Sequence, residues 1–200
     1  NTGISMDGYD TDFEVYDEFY HDRGEEQDFL NALAGSTTSA VLELACGTGV
    51  LASAMAKAHP KLTVHGLDRS EKMLELARRR APGLSWHKGD MTDFQLDQDF
   101  DLIICGFNSV QHLLSDDAVR AFLRCCHRHL CSTGRLCIDL FNPSPEFTAG
   151  PRQNCFVTRF TSASLGKEVE LYEDTDYDVE TRILDIVYHY RQTNGELIRS

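Results

Sequence analysis

The segment VLELACGTGV, from Val41 to Val50, combines an acid with closely spaced glycines behind a short apolar run. Its pattern is E-x-A-x-G-x-G, formed by Glu43, Ala45, Gly47 and Gly49. A glycine-rich turn between a strand and a helix turns backbone N–H groups towards a ligand at the carboxyl end of the sheet. Asp68 ends the next predicted strand, where an acid accepts hydrogen bonds from ribose hydroxyls. The spacing therefore predicts a nucleoside-containing ligand at this turn.

Two later segments place polar groups after further predicted strands. GDM, from Gly89 to Met91, follows the third strand with a carboxylate and a thioether, where an adenine could lie. CGFNSVQHL, from Cys105 to Leu113, follows the fourth strand with several polar side chains. The glycines also match the dinucleotide fingerprint G-x-G-x-x-A. Taken alone, the glycine loop leaves an NAD-dependent oxidoreductase and a methyltransferase both open.

The composition is that of a soluble globular chain. Its 200 residues, 42% hydrophobic and 26% charged, suit one α/β domain. The net charge of −13 at pH 7 would repel a nucleic acid or an anionic membrane, and the run ARRRAPG is expected to complement a helix dipole. No apolar span reaches membrane length, and the first 30 residues are acidic and aromatic. We expect no nucleic-acid partner, no membrane helix and no signal peptide.

The seven cysteines are odd in number and form no C-x-x-C pair. This usage predicts buried or half-buried free thiols in a reducing cytoplasm rather than disulfides or a zinc site. The eight histidines form no H-E-x-x-H pattern either. We expect no metal, and we expect a cytoplasmic location.

Strands and helices alternate along the first part of the chain. The predicted strands are AVLELA, KLTVHGLD, LSWHKGD, FDLIICGF and GRLCIDLFN. The predicted helices are DTDFEVYDEFY, EEQDFLNALAG, GVLASAMAKAH, SEKMLELARRRAPG and SDDAVRAFLRCCHRHL. The last helix has an apolar face, predicted to contain Val119, Phe122, Leu123, Cys126 and Leu130. This alternation predicts an α/β fold with a Rossmann-like, doubly wound, mostly parallel sheet.

The alternation of predicted strands and helices ends after Pro145. KEVELYEDTDYDVE alternates, with one predicted face formed by Val169, Leu171, Thr175, Tyr177 and Val179. TRILDIVYHY follows, and then Asn194-Gly195, a strong hairpin signal. The pattern predicts a C-terminal antiparallel β meander added to the parallel core.

The order of the glycine loop, the strand-end acid, GDM and CGFNSVQHL across residues 41 to 113 resembles the class I S-adenosylmethionine-dependent methyltransferases. More narrowly, YDEFYHDRG, GDMTDFQLDQDFD, FNSVQHL and ETRILDIVYHY resemble the small-molecule enzymes that dimethylate the amine of nucleotide-linked deoxy-sugars. This second resemblance runs from about Tyr16 to Tyr190. It implies S-adenosylmethionine as the cofactor and a small amine, an amino-sugar or similar metabolite, as the methyl acceptor.

The resemblance also implies where the cofactor lies. The Gly47/Gly49 loop would run along its methionine part, Asp68 would accept from the ribose hydroxyls, and Asp90 and Met91 would flank the adenine. The cofactor-binding residues implied in this way are Tyr16, Arg23, Glu43, Ala45, Gly47, Gly49, Asp68, Arg69, Met73, Gly89, Asp90, Met91 and Phe107.

Methyl transfer from a sulfonium is an in-line displacement, so the protein mainly positions the nucleophile and shields the site. An attacking amine must be neutral, and an imidazole can accept its proton near neutral pH. His112 follows the fourth strand, and the resembling family has a histidine there, so His112 is the predicted proton acceptor. Tyr20, at the end of YDEFY, is predicted to orient the amine.

The resemblance assigns residues 1–145 to a cofactor-binding core with an N-terminal helical lid. Residues 146–200 become an antiparallel insertion that forms part of the acceptor pocket or of an oligomer interface, which leaves a homodimer open. The residues also leave open an NAD-dependent oxidoreductase, a methyltransferase acting on RNA or protein, and a cofactor-binding module without catalysis. They do not decide between N- and O-methylation.

The last expectation concerns the sheet. Members of the resembling family usually finish it with a sixth and a seventh strand, and this chain ends at NGELIRS, within the predicted meander. We therefore expect five parallel core strands, closing C-terminal strands that are missing, and a fifth strand with an uncovered edge.

Overall fold

The structure, a computed structural model, describes Glu18, residues 24–35 and residues 38–199. The chain divides into two compact units, Asn1–Leu140 and Phe141–Ser200. The predicted helix DTDFEVYDEFY lies outside the described residues except for Glu18. The predicted site residues Tyr16, Tyr20 and Arg23 lie outside them too.

The first unit is built on a parallel five-stranded sheet with the order β3-β2-β1-β4-β5. Its strands are β1 Ala40–Leu44, β2 Thr63–Asp68, β3 Ser85–Lys88, β4 Phe100–Cys105 and β5 Leu130–Ile138. Its helices are α1 Gly24–Leu33, α2 Val50–Ala58, α3 Glu71–Arg80 and α4 Asp116–His129, with a short 3₁₀ helix at Ser109–His112. The predicted Rossmann-like α/β arrangement is confirmed.

The central strand β1 is covered on both faces. Leu42 and Leu44 join a core cluster that includes Phe122 of α4, whereas Val41 joins a second cluster that includes Leu51 of α2. All five strand positions are buried, as a near-continuous apolar strand in a parallel sheet requires. Each fully buried leucine stabilises the fold by roughly 1.5–3 kcal/mol. Glu43 is the exception in this apolar strand, and it is buried as well.

The start of α3 is set by local chemistry that the sequence shows. Ser70 is its N-cap, and its hydroxyl accepts a hydrogen bond from the Met73 N–H at 3.3 Å. Glu71 lies in the first turn and three arginines in the last, which matches the helix dipole. These signals depend on neighbours along the chain, and the predicted helix SEKMLELARRRAPG begins at this cap residue.

The apolar face of α4 differs from the prediction. Its buried residues are Phe122, Cys125, Cys126 and His129. Leu123 was predicted to face the core and is 43% exposed, because the buried stripe follows the spacing 122, 125, 126, 129. The His129 ring is fully used in the core, since its Nδ1 donates to the Cys125 carbonyl and its Nε2 accepts from the Leu96 N–H.

The fifth strand begins earlier than predicted, directly after α4, and ends at Ile138. The predicted strand extended to Asn142, but Leu140 and Phe141 are 53% and 42% exposed and lie beyond it. Asp139 is therefore the first residue after the strand.

The second unit is an antiparallel sheet with the order β6-β7-β8-β9. Its strands are β6 Arg152–Ser162, β7 Lys167–Asp178, β8 Ile183–Gln192 and β9 Leu197–Arg199. The predicted meander is confirmed, and Gly195 has a φ of +84° in the turn that joins β8 to β9. Of the predicted β7 face, Val169, Leu171 and Thr175 are buried, but Val179 is 72% exposed because it lies in the turn after β7.

The first strand of this unit, β6, was not predicted. Its pairing with β7 shifts register between Arg152 and Cys155 and again between Phe156 and Thr158. Such irregularities interrupt the alternation by which a strand is recognised in a sequence. None of the described helices is both long enough and apolar enough to span a bilayer.

Candidate functional site

The turn after β1 has an unusual backbone. Ala45, Gly47 and Gly49 have φ values of +53°, +52° and +73°, in the left-handed region that favours glycine. An added Cβ at Gly47 would meet no atom within 4 Å, so this residue borders open space. A Cβ at Gly49 would lie 2.4 Å from Cη2 of Trp86. Gly47 therefore leaves free space beside the loop backbone, whereas Gly49 allows the loop to pack on the indole.

Glu43 supports this loop through the first turn of α2. Its side chain is 2% exposed, and its Oε2 accepts a hydrogen bond from the Ala52 N–H at 2.8 Å, which caps the first turn of α2. Burial raises the pKa of Glu43 from 4.5 to about 8, and the charge of Asp68 acts in the same direction, while the Ala52 hydrogen bond opposes both. Glu43 is thus a buried acid that a nearby cation would help to ionise. Its contact with the cofactor stays a prediction.

Asp68 connects the end of β2 to the glycine loop. Its Oδ2 accepts from the Gly47 N–H and its Oδ1 from the Ser70 N–H, both at 2.8 Å. Burial raises the pKa of Asp68, although backbone N–H groups and the charge of Arg69 act against the rise. The Arg69 N–H is a third backbone donor to this carboxylate, so about one of its roughly four acceptor positions remains. The structure therefore brings Asp68 and Gly47 into direct contact, and the predicted role of Asp68 towards ribose hydroxyls stays a prediction.

Arg80 holds the same loop from the end of α3. Its Nη1 donates to the Thr48 carbonyl and to the Thr48 hydroxyl, the latter at 2.9 Å. The arginine run was predicted only to complement the helix dipole, and for Arg80 this interpretation is incomplete. The missed contact joins residues that are 32 positions apart, so no local pattern indicates it.

The GDM segment follows β3 at the same edge of the sheet. The Gly89 N–H donates to the Asp68 carbonyl at 3.0 Å, which ties this segment to β2. Asp90 is exposed, and its Oδ1 accepts from the N–H and the hydroxyl of Thr92 at 2.8 and 2.7 Å. Burial opposes ionisation of Asp90, but the Thr92 hydrogen bonds and the Arg69 charge outweigh it and lower the pKa. Asp90 is therefore an ionised acceptor at the surface.

The remaining predicted residues near GDM differ in burial. Met91 is half-buried against the core, with its Sδ 4.0 Å from the Cys105 Sγ, so one side of its thioether already packs in the protein. Met73 is 3% exposed within α3, and Arg69 is exposed. Their roles towards a cofactor remain predictions.

The segment after β4 is held in a strained conformation. Phe107 and Asn108 have φ values of +55° and +63°, which non-glycine residues rarely adopt. The Phe107 N–H donates to Oδ2 of Asp139 at 3.0 Å, so the acid after β5 anchors the loop after β4. Sequence reasoning missed Asp139, because the predicted fifth strand continued to Asn142 and placed this acid inside the strand rather than at its end.

His112 ends the 3₁₀ helix that follows this strained turn. The residue is exposed, yet partial burial of the imidazole lowers its pKa below the usual value of 6.5. The imidazole is therefore neutral near pH 7 and able to accept a proton. Because β4 neighbours β1 in the parallel sheet, the segment that carries His112 leaves the same edge as the glycine loop.

All seven cysteines are free, and all are buried or half-buried, as their spacing predicted. In the part of the chain that the structure describes, no three His, Cys, Asp or Glu side chains are grouped as a metal ion would require. The described groups at this edge of the sheet include carboxylates, backbone N–H groups and an imidazole.

Residues 41–134, which contain the glycine loop, Asp68, GDM and His112, match the methyltransferase domain family. This match confirms the family resemblance that the sequence indicated. The matched segment begins in β1 and ends in β5, so it spans the strands of the parallel sheet.

Two curated relatives share this region. The dTDP-3-amino-3,6-dideoxy-alpha-D-glucopyranose N,N-dimethyltransferase of Streptomyces fradiae is 35% identical over 112 residues, which cover 56% of this chain and 43% of that protein. The dTDP-4-amino-2,3,4,6-tetradeoxy-D-glucose N,N-dimethyltransferase of Saccharopolyspora spinosa is 32% identical over 136 residues, covering 63% of this chain and 53% of that protein. The chain matches about half the length of these relatives.

Solved structures agree with the fold. DesVI of Streptomyces venezuelae superimposes with a TM-score of 0.71 at 26% identity, covering 92% of this chain and 78% of that chain. CalS10, an amino pentose methyltransferase from Micromonospora echinaspora solved with its S-adenosylmethionine bound, has a TM-score of 0.70 at 26% identity, covering 90% and 77%.

Proposed function

We propose that this chain, whose residues 41–134 match the methyltransferase domain family, transfers a methyl group from S-adenosylmethionine to the amine of a small molecule, an amino-sugar or a similar metabolite. The observation that carries the proposal is the hydrogen bond between Asp68 and the Gly47 N–H, which joins a strand-end acid to an open glycine loop. An acid in this position suits ribose hydroxyls.

The residues at this edge fit the cofactor. Gly47 borders open space, and Asp68 retains some acceptor capacity for a hydroxyl group after its three backbone hydrogen bonds. Asp90 is a second exposed acceptor, and Met91 offers an apolar side chain next to it. Buried Glu43 supplies latent negative charge near the loop, which would favour a cationic ammonium. This set combines acceptors for hydroxyls and an ammonium with an apolar contact for a base.

When bound, S-adenosylmethionine supplies a methyl group on a sulfonium, which is already an excellent leaving group. The chain's own residues have two tasks in the proposed reaction. The glycine loop and Asp68 fix the ligand, and orientation of this kind can supply roughly 7–11 kcal/mol of the barrier in favourable cases. His112, neutral near pH 7, accepts the amine proton at a ring nitrogen. Tyr20, outside the described residues, stays the predicted group that orients the amine.

The acceptor class is supported by the relatives. The two curated enzymes are named as N,N-dimethyltransferases of dTDP-linked amino-deoxy-sugars, and CalS10 is named as an amino pentose methyltransferase. We extend the amine acceptor to this chain on that basis. The acidic net charge of −13 agrees with a small acceptor rather than RNA. Seven free thiols agree with a reducing cytoplasm as the place of action.

The first test is a calorimetric titration with S-adenosylmethionine, followed by a screen of amines and sugar nucleotides for transfer of a labelled methyl group. Asp68→Asn should weaken cofactor binding about 10- to 100-fold, because a charge-assisted hydrogen bond contributes roughly 1.5–3 kcal/mol. The matched control is Asp101→Asn. Asp101 also accepts two backbone N–H groups, from Ser39 and Ala40 at 2.8 and 3.0 Å, but it lies where β4 begins, at the opposite edge of the sheet.

Equal loss of binding in both variants would assign Asp68 a purely structural role. Saturable binding of NADH in place of S-adenosylmethionine would favour the oxidoreductase instead.

A further inference from the structure

The turn after β4 is held by an acid from the neighbouring strand. Asp139 directly follows β5, which pairs with β4 in parallel. Its backbone N–H donates to the Cys105 carbonyl at 3.1 Å, and its Oδ2 accepts from the Phe107 N–H at 3.0 Å. Asp139 therefore contacts the chain on both sides of Gly106, at the point where β4 ends. Its carboxylate adds one more hydrogen bond between the two segments after the strand pairing is over.

This contact falls on a backbone that local preference does not favour. Phe107 and Asn108 are consecutive non-glycine residues in the left-handed region, with φ values of +55° and +63°. Residues in such conformations persist only where surrounding contacts determine them. Asp139 supplies one of these contacts, at the first residue of the strained pair. Asn108 is the N-cap of the 3₁₀ helix but makes no side-chain cap hydrogen bond, so its own side chain does not fix the helix start.

The 3₁₀ helix Ser109–His112 grows directly from this strained pair. The Ser109 N–H donates to the Gly106 carbonyl at 3.2 Å, and the Gln111 N–H donates to the Asn108 carbonyl at 2.9 Å. These short-range hydrogen bonds make the direction of the helix depend on the backbone angles of the turn before it. A change at the turn is therefore transmitted to His112.

The core holds the other side of this helix. Val110 is buried, and Leu113 is partly buried against the same core cluster. Residues three apart share one side of a 3₁₀ helix, so this apolar side faces the core and leaves His112 on another side, where it is exposed. The position of His112 thus depends on two anchors, an apolar one at Val110 and a polar one at Asp139.

We propose that Asp139 is a positioning residue for methyl transfer: by accepting a hydrogen bond from the Phe107 N–H, it fixes the strained turn and thereby the place of the His112 imidazole. Because His112 is the proton acceptor of the proposed function, this role of Asp139 rests on that function. Asp139 acts through the backbone and touches neither substrate nor cofactor in this role. The role requires an acceptor atom on the side chain and does not require a negative charge.

The substitutions Asp139→Ala and Asp139→Asn separate these requirements. An asparagine keeps a side-chain oxygen that can accept from the Phe107 N–H, whereas an alanine does not. With S-adenosylmethionine and a dTDP-linked amino-deoxy-sugar as substrates, Asp139→Ala should lower kcat about 10- to 100-fold, because a misplacement of about 1 Å has effects of this size. The KM values for both substrates should stay near those of the wild type. Asp139→Asn should retain most of kcat.

Two further variants test whether Asp139 acts through His112. In a His112→Ala background, Asp139→Ala should lower kcat little further, because the effects of two changes along one chain of contacts are not additive. Asp101→Ala is the matched control, since Asp101 also accepts from backbone N–H groups but lies at the other end of β4. It should leave kcat near the wild-type value.

Hydrogen–deuterium exchange gives a readout that does not need methyl transfer. Asp139→Ala should speed exchange in the peptide that covers residues 106–113 roughly three- to tenfold, as the loss of one hydrogen bond predicts, whereas Asp139→Asn and Asp101→Ala should not. If the wild-type chain transfers no methyl group, the proposed function fails, and the exchange rates still decide whether Asp139 holds the turn. Unchanged exchange in Asp139→Ala, equal loss of kcat in Asp139→Ala and Asp139→Asn, or a loss that adds fully to that of His112→Ala would overturn the proposal.

Discussion

Gly49→Ala is the substitution for which the structure allows the most specific prediction. Gly49 has a φ of +73°, and an added Cβ would lie 2.4 Å from Cη2 and 2.9 Å from Cζ3 of Trp86. The left-handed conformation costs an alanine roughly 1–2 kcal/mol. Forcing extra atoms into a packed site costs about 1–3 kcal/mol more. The expected loss in the free energy of unfolding is therefore roughly 2–5 kcal/mol.

The indole cannot simply move away. Its Nε1 donates to the Ala81 carbonyl at 3.0 Å, and the same ring lies 2.4 Å from the position that a Cβ on Gly66 would take. Gly47→Ala is the matched control, because Gly47 has a φ of +52° and an added Cβ there would meet nothing within 4 Å. It should cost only the conformational part, roughly 1–2 kcal/mol.

Unfolding in urea should be monitored by far-ultraviolet circular dichroism rather than by tryptophan fluorescence, because one of the variants changes Trp86. In a Trp86→Phe background, which removes part of the ring, the cost of Gly49→Ala should fall towards that of Gly47→Ala, with only the 3.1 Å approach to the Ala77 Cβ left as a steric difference. If Gly49→Ala and Gly47→Ala are equally destabilising in the wild-type background, the steric argument is wrong. The glycine would then be required for its backbone conformation alone.

Two further predictions concern titratable groups. Because the folded chain holds a proton on Glu43 that the unfolded chain releases near pH 4.5, stability should fall as the pH rises from 4.5 towards 8. Glu43→Gln should make this fall clearly smaller in urea unfolding across this range, and the part due to the raised pKa of Asp68 should remain. A pH profile unchanged by Glu43→Gln would contradict the prediction. His112→Ala should lower kcat for methyl transfer roughly 10²- to 10⁴-fold while the calorimetric affinity for S-adenosylmethionine stays the same. An equal loss of both would make His112 a structural residue.

Much of the fold could be predicted because its signals are local. The apolar strand before the glycines, the Ser70 cap of α3 and the Asn194-Gly195 turn each depend on residues within a few positions of one another. The alternation of strands and helices then restricts the topology, since parallel strands need crossover connections. The order of the glycine loop, Asp68 and GDM along the chain was enough to indicate the methyltransferase family.

Errors in the prediction arose where periodicity alone does not decide burial. Leu123 fits an apolar face of α4 by composition, but the position of the helix against the sheet buries Cys125 and His129 instead. Val179 continues the alternation of β7, but the chain turns before it. The register shifts of β6 removed the alternation that would have identified this strand.

The sequence by itself determined the local elements, the glycine loop and the acid after β2, because each depends on a short stretch of chain. Only the tertiary structure decided which distant groups support the loop. Arg80 reaches Thr48 from the end of α3. Asp139, after β5, accepts a hydrogen bond from the Phe107 N–H in the loop after the neighbouring strand β4. Trp86 fills the space beside Gly49. These contacts join residues about 30 or more positions apart, where the sequence records which side chains exist but not which of them the packed sheet brings together.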